Sequence, residues 1–143
     1  MNMFQPLKVS ASGMTAERFR LDLIANNLAN TNTTRTAEGG PYRRQTAIFA
    51  EALTHARLQN GAPHVKGDGV RVLGIARDET EPRMVHDPAH PDADDEGFVA
   101  MPNVNVVNEM VDMITATRAY EANVTASNAY KNMFLKALEI GRG

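Results

Sequence analysis

The stretch ANNLANTNTT, residues 25–34, decides where the first helix of this chain ends and what its last turn presents. It holds four asparagines and three threonines in ten residues. Asparagine is a poor residue for a helix interior, because its amide competes for nearby backbone groups. Three explanations are open at this point: a helix stop, a hydrogen-bonding face for a partner, or a polar reaction site.

The two halves of this stretch favour different explanations. Residues 30–34 have the composition of caps and turns, so they predict the end of a helix. Asn26 and Asn27 come a full turn earlier, and Asn26 shares a helix side with Asn30 at i, i+4. Because an asparagine held between helices fixes their register, we expect Asn26 and Asn27, with Leu28, to set register against neighbouring helices.

Upstream, residues 4–29 predict a helix. Its apolar positions recur at steps of three and four, close to a coiled-coil period of 3.5, with Arg18 as the one break. These positions are Phe4, Leu7, Ala11, Met14, Leu21, Ala25 and Leu28. Pro6 fits a first helical turn, whereas Gly13 costs about 1 kcal/mol relative to alanine inside a helix. We therefore expect a kink at Gly13 or close approach by another backbone.

Residues 35–102 have a different character, because seven glycines and six of the seven prolines lie there. Short strand patterns remain at residues 42–49, 70–76, 83–86 and 98–101. We expect Gly67-Asp68-Gly69 to form a turn that leads into the second strand. Four short strands make a small β module.

A second helical pattern begins near residue 103, where Asn103 or Asn105 can cap the helix start, and Gly141 is a natural stop. Its apolar stripe holds Met110, Met113, Tyr120, Val124, Phe134 and Leu138, with Val107, Ile114 and Leu135 beside it. Further asparagines follow the same helix, at positions 103, 105, 108, 123, 128 and 132. Amides on both helices favour packing in a specified register.

These elements predict an α+β fold in which long N- and C-terminal helices pair as a coiled-coil-like domain around a small β-rich insert. Residues 1–34 and 103–143 would form the discontinuous helical domain, and residues 35–102 the β-rich middle module with an acidic, proline-containing loop. Since a β module of this size cannot cover both apolar stripes, we expect the two ends to pack together and against other chains.

Composition excludes several classes of function. The net charge of −2, with both signs mixed along the chain, argues against a nucleic-acid binder, and Arg43-Arg44 is best explained as solvated surface. With no cysteine there is no disulfide framework and no thiolate chemistry. The first 20 residues lack the basic and apolar regions of a cleaved signal peptide, and no apolar run is long enough to span a bilayer.

The densest set of metal-capable side chains is HDPAHPDADDEG, residues 86–97. Pro88 and Pro91 prevent the i, i+4 helical pairing of its histidines, and an EF-hand alignment fails at Asn103, where a glutamate is needed. We interpret the segment as an acidic surface loop and predict no metal site. Hydrolase elbows, phosphate loops and dinucleotide fingerprints are absent from the sequence, so we predict no catalytic residue, no cofactor and no enzymatic activity.

Two stretches resemble the axial proteins of the bacterial flagellum, the rod and hook family. SGMTAERFRLDLIANNLANTNT, residues 12–33, is similar to the N-terminal signature of that family, and ANNLAN is its shared element. HDPAHPDADDEGFVAMPNVNVVNEMVDMITATRAYEANVTASNAYKNM, residues 86–133, resembles a short rod member. Together the two cover about half of the chain; the intervening region carries no comparable match.

The resemblance implies a structural subunit of the proximal rod, exported by the flagellar type III apparatus without a cleaved signal peptide. It implies terminal helices paired around the inner tube, a rod that crosses the periplasm, and torque transmission from motor to hook. The implied partners are other copies, neighbours of the FlgB, FlgF and FliE types, and the inner-membrane ring region. Neither nucleic acid nor a small-molecule substrate is implied.

We therefore predict an assembly interface on the two helices. Its residues are Phe4, Leu7, Ala11, Met14, Leu21, Asn26, Asn27, Leu28, Asn30, Met110, Met113, Ile114, Tyr120, Val124, Phe134 and Leu138. The alternative is a soluble adaptor or chaperone-like module that binds amphipathic helices through the methionine-rich C-terminal stripe. Co-purification into a tube, as against a one-to-one soluble complex, distinguishes the two.

Overall fold

The computed structural model of the chain describes residues 4–57 and 63–141. Two long helices enclose four strands in the sequence, which confirms the predicted α+β fold. The order is α1 (Gln5–Ala29), β1 (Gln45–Arg57), β2 (Pro63–Arg77), β3 (Arg83–His86), β4 (Phe98–Met101) and α2 (Val106–Ile140).

Helix α1 ends where the asparagine-rich stretch predicts. The Asn30 side chain folds back and donates to the Asn26 backbone oxygen at 2.9 Å and to the Asn26 Oδ1 at 2.8 Å. The Thr31 hydroxyl donates to the Leu28 backbone oxygen at 2.6 Å. The same two carbonyl groups also accept backbone bonds, from the Asn30 N–H at 3.1 Å and the Thr31 N–H at 3.4 Å, so groups within the same turn close the end of the helix. The helix-stop interpretation of residues 30–34 is confirmed.

Asparagine also begins helix α2. Asn105 Oδ1 accepts hydrogen bonds from the backbone N–H groups of Val107 at 3.0 Å and Asn108 at 3.2 Å, the geometry of an N-cap. Asn103, the other candidate, makes contacts elsewhere in the chain. The helix ends at Ile140, and Gly141 follows it as predicted.

The strands form two separate two-stranded sheets, β1 with β2 and β3 with β4. Strands β3 and β4 have the bounds that the sequence predicts, and they pair antiparallel from Arg83 opposite Met101 to His86 opposite Phe98. The prediction for residues 42–49 is wrong at both ends, because β1 runs from Gln45 to Arg57. The predicted strand at residues 70–76 lies inside the longer β2.

The turn predicted at residues 67–69 is wrong, because β2 continues through it. Gly69 has a φ of +107°, a conformation that glycine adopts without strain. A Cβ on Gly69 would collide with the Ser12 hydroxyl of α1. Gly69 thus lets strand β2 come close to the helix, and the Val70 N–H donates to that same hydroxyl at 3.1 Å.

The described residues belong to two compact units, and each unit combines helix and strand. The first unit takes residues from Met1–Phe19, Ile48–Gly74 and Ala116–Gly143; the second takes Arg20–Ala47 and Ile75–Thr115. Each unit therefore contains residues from both the predicted helical domain and the predicted β-rich module. The proposed division into an assembly domain and a middle module stays a prediction.

In the first unit, α1 and α2 run antiparallel. The rings of Phe4 and Phe134 lie 6.3 Å apart, and Gly13 faces Asn123. A Cβ on Gly13 would stand 2.8 Å from Asn123 Oδ1, so glycine makes room for a side chain of the opposite helix rather than for another backbone. Among the described residues of this unit, the nearly or fully buried side chains are small: Ser10, Ala16 and Ala116.

The second unit has the larger buried side chains. Leu23, Ile24, Tyr42 and Val99 are buried there together with two polar residues, Asn27 and Glu109. Burying polar groups is unfavourable unless they are hydrogen-bonded, so their partners determine how this unit is held together.

Candidate assembly interface

Asn27 lies at the centre of a buried polar cluster in the second unit and is only 1% exposed. Its Nδ2 donates to the Gln45 backbone oxygen and to Glu109 Oε2, each at 2.9 Å. Its Oδ1 accepts from the Tyr42 hydroxyl and from the Gln45 N–H, again at 2.9 Å each. Both amide hydrogens and both oxygen lone pairs are therefore used inside the chain.

Glu109 is fully buried and has a charged partner. Arg44 Nε donates to Glu109 Oε1 at 2.5 Å, and its Nη2 reaches Asp112 Oδ2 at 3.2 Å. Arg20 donates to the other Asp112 oxygen at 3.1 Å. Two arginines thus compensate two carboxylates of α2, which is the condition for keeping a buried charge in a stable fold.

Asn103 extends the cluster to the loop that follows β2. Its Oδ1 accepts from the Arg44 N–H at 2.8 Å, and its Nδ2 donates to the Thr80 hydroxyl at 2.8 Å. The Thr80 N–H and hydroxyl both donate to Asp78 Oδ1, and they hold the pKa of Asp78 below its ordinary value. The chain before α2 is thereby tied to two distant segments.

Tyr42 contributes a neutral phenol to this cluster. Burial raises the pKa of Tyr42 above its ordinary value, and the negative charge of Glu109 raises it further. The protonated hydroxyl donates to Asn27, so the raised pKa and the hydrogen bond favour the same form.

The sequence did not identify most of this cluster. Placing Arg44 on solvated surface is wrong: its guanidinium is half-buried between Glu109 and Asp112, while the neighbouring Arg43 is exposed. One signal was available, since Glu109 shares a helix side with Ala116 and interrupts the apolar pattern of α2. Its partners are 65 and 82 positions away, at Arg44 and Asn27, so local pattern could not supply them.

The predicted interface residues fall into three groups in the structure. Asn27 is buried and has no amide hydrogen bond left for a neighbour. The exposed members are Phe4, Ala11, Asn26, Met110, Ile114 and Leu138. The half-buried members are Leu7, Met14, Leu21, Leu28, Asn30, Met113, Tyr120, Val124 and Phe134. The assignment of all these residues to contacts between subunits stays a prediction.

Helix α2 has a side with large apolar groups that the described residues leave exposed. Val107, Met110, Val111 and Ile114 are each between 54% and 68% exposed, and they recur at helical spacing. Near the other end of α2, Met133, Leu138 and Ile140 are exposed as well. Exposed apolar surface of this kind is typical of interaction sites.

The acidic loop uses its side chains to hold its own shape. Asp94 Oδ1 accepts from the N–H groups of Phe98 at 2.7 Å and Glu96 at 3.0 Å. Asp92 Oδ2 accepts from the Thr34 hydroxyl at 2.8 Å, and the His86 ring packs edge-on against Phe98. Within residues 4–57 and 63–141, no group of three or more histidine or acidic side chains is placed to hold a metal.

None of the helices in the described ranges has the length and hydropathy that a bilayer crossing requires.

Comparison with known proteins finds two matching family profiles. The profile "Flagella basal body rod protein" matches residues 7–35, and "Flagellar basal body rod FlgEFG protein C-terminal" matches residues 95–140. They contain most of the two stretches on which the resemblance rests.

Proteins named flagellar basal-body rod protein FlgC are similar over the whole length. The one from Borreliella burgdorferi is 47% identical, over 100% of both chains. The Bacillus subtilis protein is 44% identical over 99% of this chain and 100% of its own length. The Aquifex aeolicus protein is 39% identical over 97% of each. These comparisons confirm the resemblance noted in the sequence.

Proposed function

The chain belongs to the FlgC family of flagellar basal-body rod proteins and is a structural subunit of that rod; we propose that it builds the rod by heterologous helix packing, one surface of a subunit against a different surface of the next. Such contacts generate a tube when repeated. The tube transmits torque from motor to hook and houses the export channel.

The observation that carries this proposal is the exposed apolar side of α2. Burial of one large aliphatic side chain contributes about 1.5–3 kcal/mol. Val107, Met110, Val111 and Ile114 are more than half exposed in the single chain. Neighbouring subunits that cover them supply a driving force for assembly.

The first unit gains most from neighbours. Its buried set among the described residues consists of serine and alanine, whereas Phe4, Met133, Leu138 and Ile140 are exposed there. An amphipathic helix with little buried area is marginally stable in water. Folding of the terminal segments is therefore coupled to assembly in this proposal.

The second unit provides stiffness for torque. Its buried cluster joins α1, the segment before β1 and α2 through hydrogen bonds that are all satisfied. Fully connected polar networks make a fold more rigid and more specific in its register. A subunit held in this way passes force to its neighbours without changing its internal packing.

Basal-body location and association with other rod components follow from the family. The finer placement belongs to the proposal: a proximal rod within the periplasm, near the inner-membrane ring, with neighbours of the FlgB, FlgF and FliE types. Export by the type III apparatus without a cleaved signal peptide belongs to it as well.

Complementation tests the proposal. A strain that lacks this chain is supplied with Ile114→Asp, which places a charge on the exposed apolar side, or with the control Asn108→Asp on the exposed surface of the same helix. We expect the first variant to keep the circular dichroism of the wild-type chain but to give no complete rods in electron micrographs of basal bodies. Complete rods and normal swimming with Ile114→Asp contradict the proposal.

A further inference from the structure

The outward side of α1 carries two opposite charges followed by small residues. Arg18, Asp22, Ala25 and Ala29 recur at steps of four, three and four, and all four are exposed. Residues at this spacing lie along one side of an uninterrupted helix. The side therefore presents a positive charge, a negative charge and then two shallow apolar positions.

The outward side of α2 carries a complementary series. Met110, Ile114, Arg118 and Glu121 recur at steps of four, four and three, and all four are exposed. Read from its C-terminal end, this side presents a negative charge, a positive charge and then two large apolar groups. Taken in this order, the first two positions of the two helices have opposite charges. The last two pair a small apolar residue of α1 with a large apolar residue of α2.

None of these four charged side chains has an ion-pair partner among the residues that the structure describes. Exposed ion pairs contribute little stability, but they select register and orientation where helices pack. The four charges are therefore available to specify a contact with another molecule.

The direction of packing follows from the chain itself. In each unit two contacts show that α1 and α2 are antiparallel. They are Phe4–Phe134 and Gly13–Asn123 in the first unit, and Arg20–Asp112 and Asn27–Glu109 in the second. Neighbouring copies in a tube with helices along its axis share one orientation, so α1 of one copy meets α2 of the next antiparallel. A parallel alignment that brings the charged pairs together would place Arg18 opposite Arg118 and Asp22 opposite Glu121, which is unfavourable.

We propose that the outward side of α1 in one copy packs antiparallel against the outward side of α2 in a second copy. Arg18 then lies opposite Glu121, and Asp22 opposite Arg118. In the same register Ile114 faces Ala25 and Met110 faces Ala29, so that large side chains pack over small ones. This pairing rests on the proposed rod function and specifies which faces of the subunit meet.

Cysteine cross-linking tests the pairing, because the chain has no cysteine of its own. One copy carries Ala25→Cys and a second carries Ile114→Cys, and both are expressed together in a strain that lacks the wild-type chain. Isolated basal bodies are oxidised and separated on a non-reducing gel. We expect a dimer band from the mixture, lost on reduction, and none from either variant alone. Because each chain has a single cysteine, the band cannot arise within one chain.

The matched control replaces Ile114→Cys by Asn108→Cys, which is exposed on another side of α2. An equally strong dimer band with this control overturns the proposed register. Basal bodies that contain both variants and give no dimer band overturn the face pairing but leave the rod function standing. Complete basal bodies that contain neither variant, in this strain without the wild-type chain, contradict the rod function itself.

Charge reversal gives a second readout. We expect Arg18→Glu and Glu121→Arg each to reduce the number of complete rods, because each creates a like-charged contact. Co-expression of the two variants places opposite charges across the contact between copies, so rods should return. If co-expression gives no more rods than either variant alone, the Arg18–Glu121 contact between copies is wrong.

Discussion

Asn27 Nδ2 donates to Glu109 Oε2 at 2.9 Å, and this buried hydrogen bond joins α1 to α2 across 82 positions of sequence. Asn27 is one of the two asparagines, with Asn26, for which a register role against neighbouring helices was predicted. The structure shows that it sets the register of the chain's own helices. Its neighbour Asn26 is exposed, and a contact of Asn26 with another subunit stays a prediction.

Replacing Asn27 should destabilise the second unit strongly. Asn27→Leu leaves Glu109 Oε2, the Tyr42 hydroxyl and both backbone groups of Gln45 without their partners. Buried groups without partners cost about 1–3 kcal/mol each, so we expect a loss of about 3 kcal/mol or more in the free energy of unfolding. Urea denaturation followed by circular dichroism measures it.

Asn26→Leu is the matched control, because Asn26 is exposed and its amide oxygen accepts a hydrogen bond from Asn30 at the helix end. We expect a change within about 1 kcal/mol. Equal losses for the two variants would show that the buried cluster does not hold the unit together.

Gly13 and Asn123 should be coupled. Gly13→Ala gains about 1 kcal/mol in helix propensity, but its Cβ would lie 2.8–3.0 Å from the Asn123 amide atoms. The amide must then move and give up its 2.9 Å hydrogen bond to the Ala119 oxygen. We expect Gly13→Ala to be more favourable in the Asn123→Ala background than in wild type, by about 1 kcal/mol. Additive changes in a double-mutant cycle would contradict this contact.

Gly69→Ala should weaken the first unit. Gly69 has a φ of +107°, and an added Cβ would meet the Ser12 hydroxyl, so we expect a loss of about 1–3 kcal/mol. Gly74→Ala in the same strand is the control, since its Cβ meets nothing within 4 Å. Amide hydrogen exchange of Val70, whose N–H donates to Ser12, reports the change. Equal protection in both variants would rule out the close approach at Gly69.

Alkaline pH should destabilise the second unit through Tyr42. Its pKa is raised in the fold above the ordinary value of 10.0, by burial and then by Glu109. The folded state therefore retains the proton more strongly than the unfolded chain does. The resulting stability is fully present below pH 10 and is lost as pH rises through the higher folded pKa.

Tyr42→Phe provides the comparison for this pH dependence. It should cost about 1 kcal/mol at pH 8, because the hydrogen bond to Asn27 is lost. Between about pH 9 and about pH 11, one unit below and above the ordinary value, we expect its free energy of unfolding to fall less than that of wild type. Parallel curves for the two proteins would show that Tyr42 does not titrate in this range.

Patterns within a few residues were sufficient for the helices and for two strands. The 3.5-residue apolar period predicted α1, and the polar run after Leu28 predicted its end, because capping groups act on carbonyls of the same turn. Bounds of β3 and β4 were also correct. For the start of α2 the sequence left Asn103 and Asn105 open, since both residue types can cap.

Tertiary structure decided which of these residues met. Asn105 caps α2 because Asn103 is engaged by Arg44 and Thr80, which lie in other parts of the sequence. Arg44 is half-buried because its guanidinium pairs with the buried Glu109 carboxylate. Gly13 lacks a side chain where the Asn123 amide of the opposite helix lies. Capping and periodicity are local and can be read along the chain, whereas compensation of a buried charge depends on a partner that only folding brings within 3 Å.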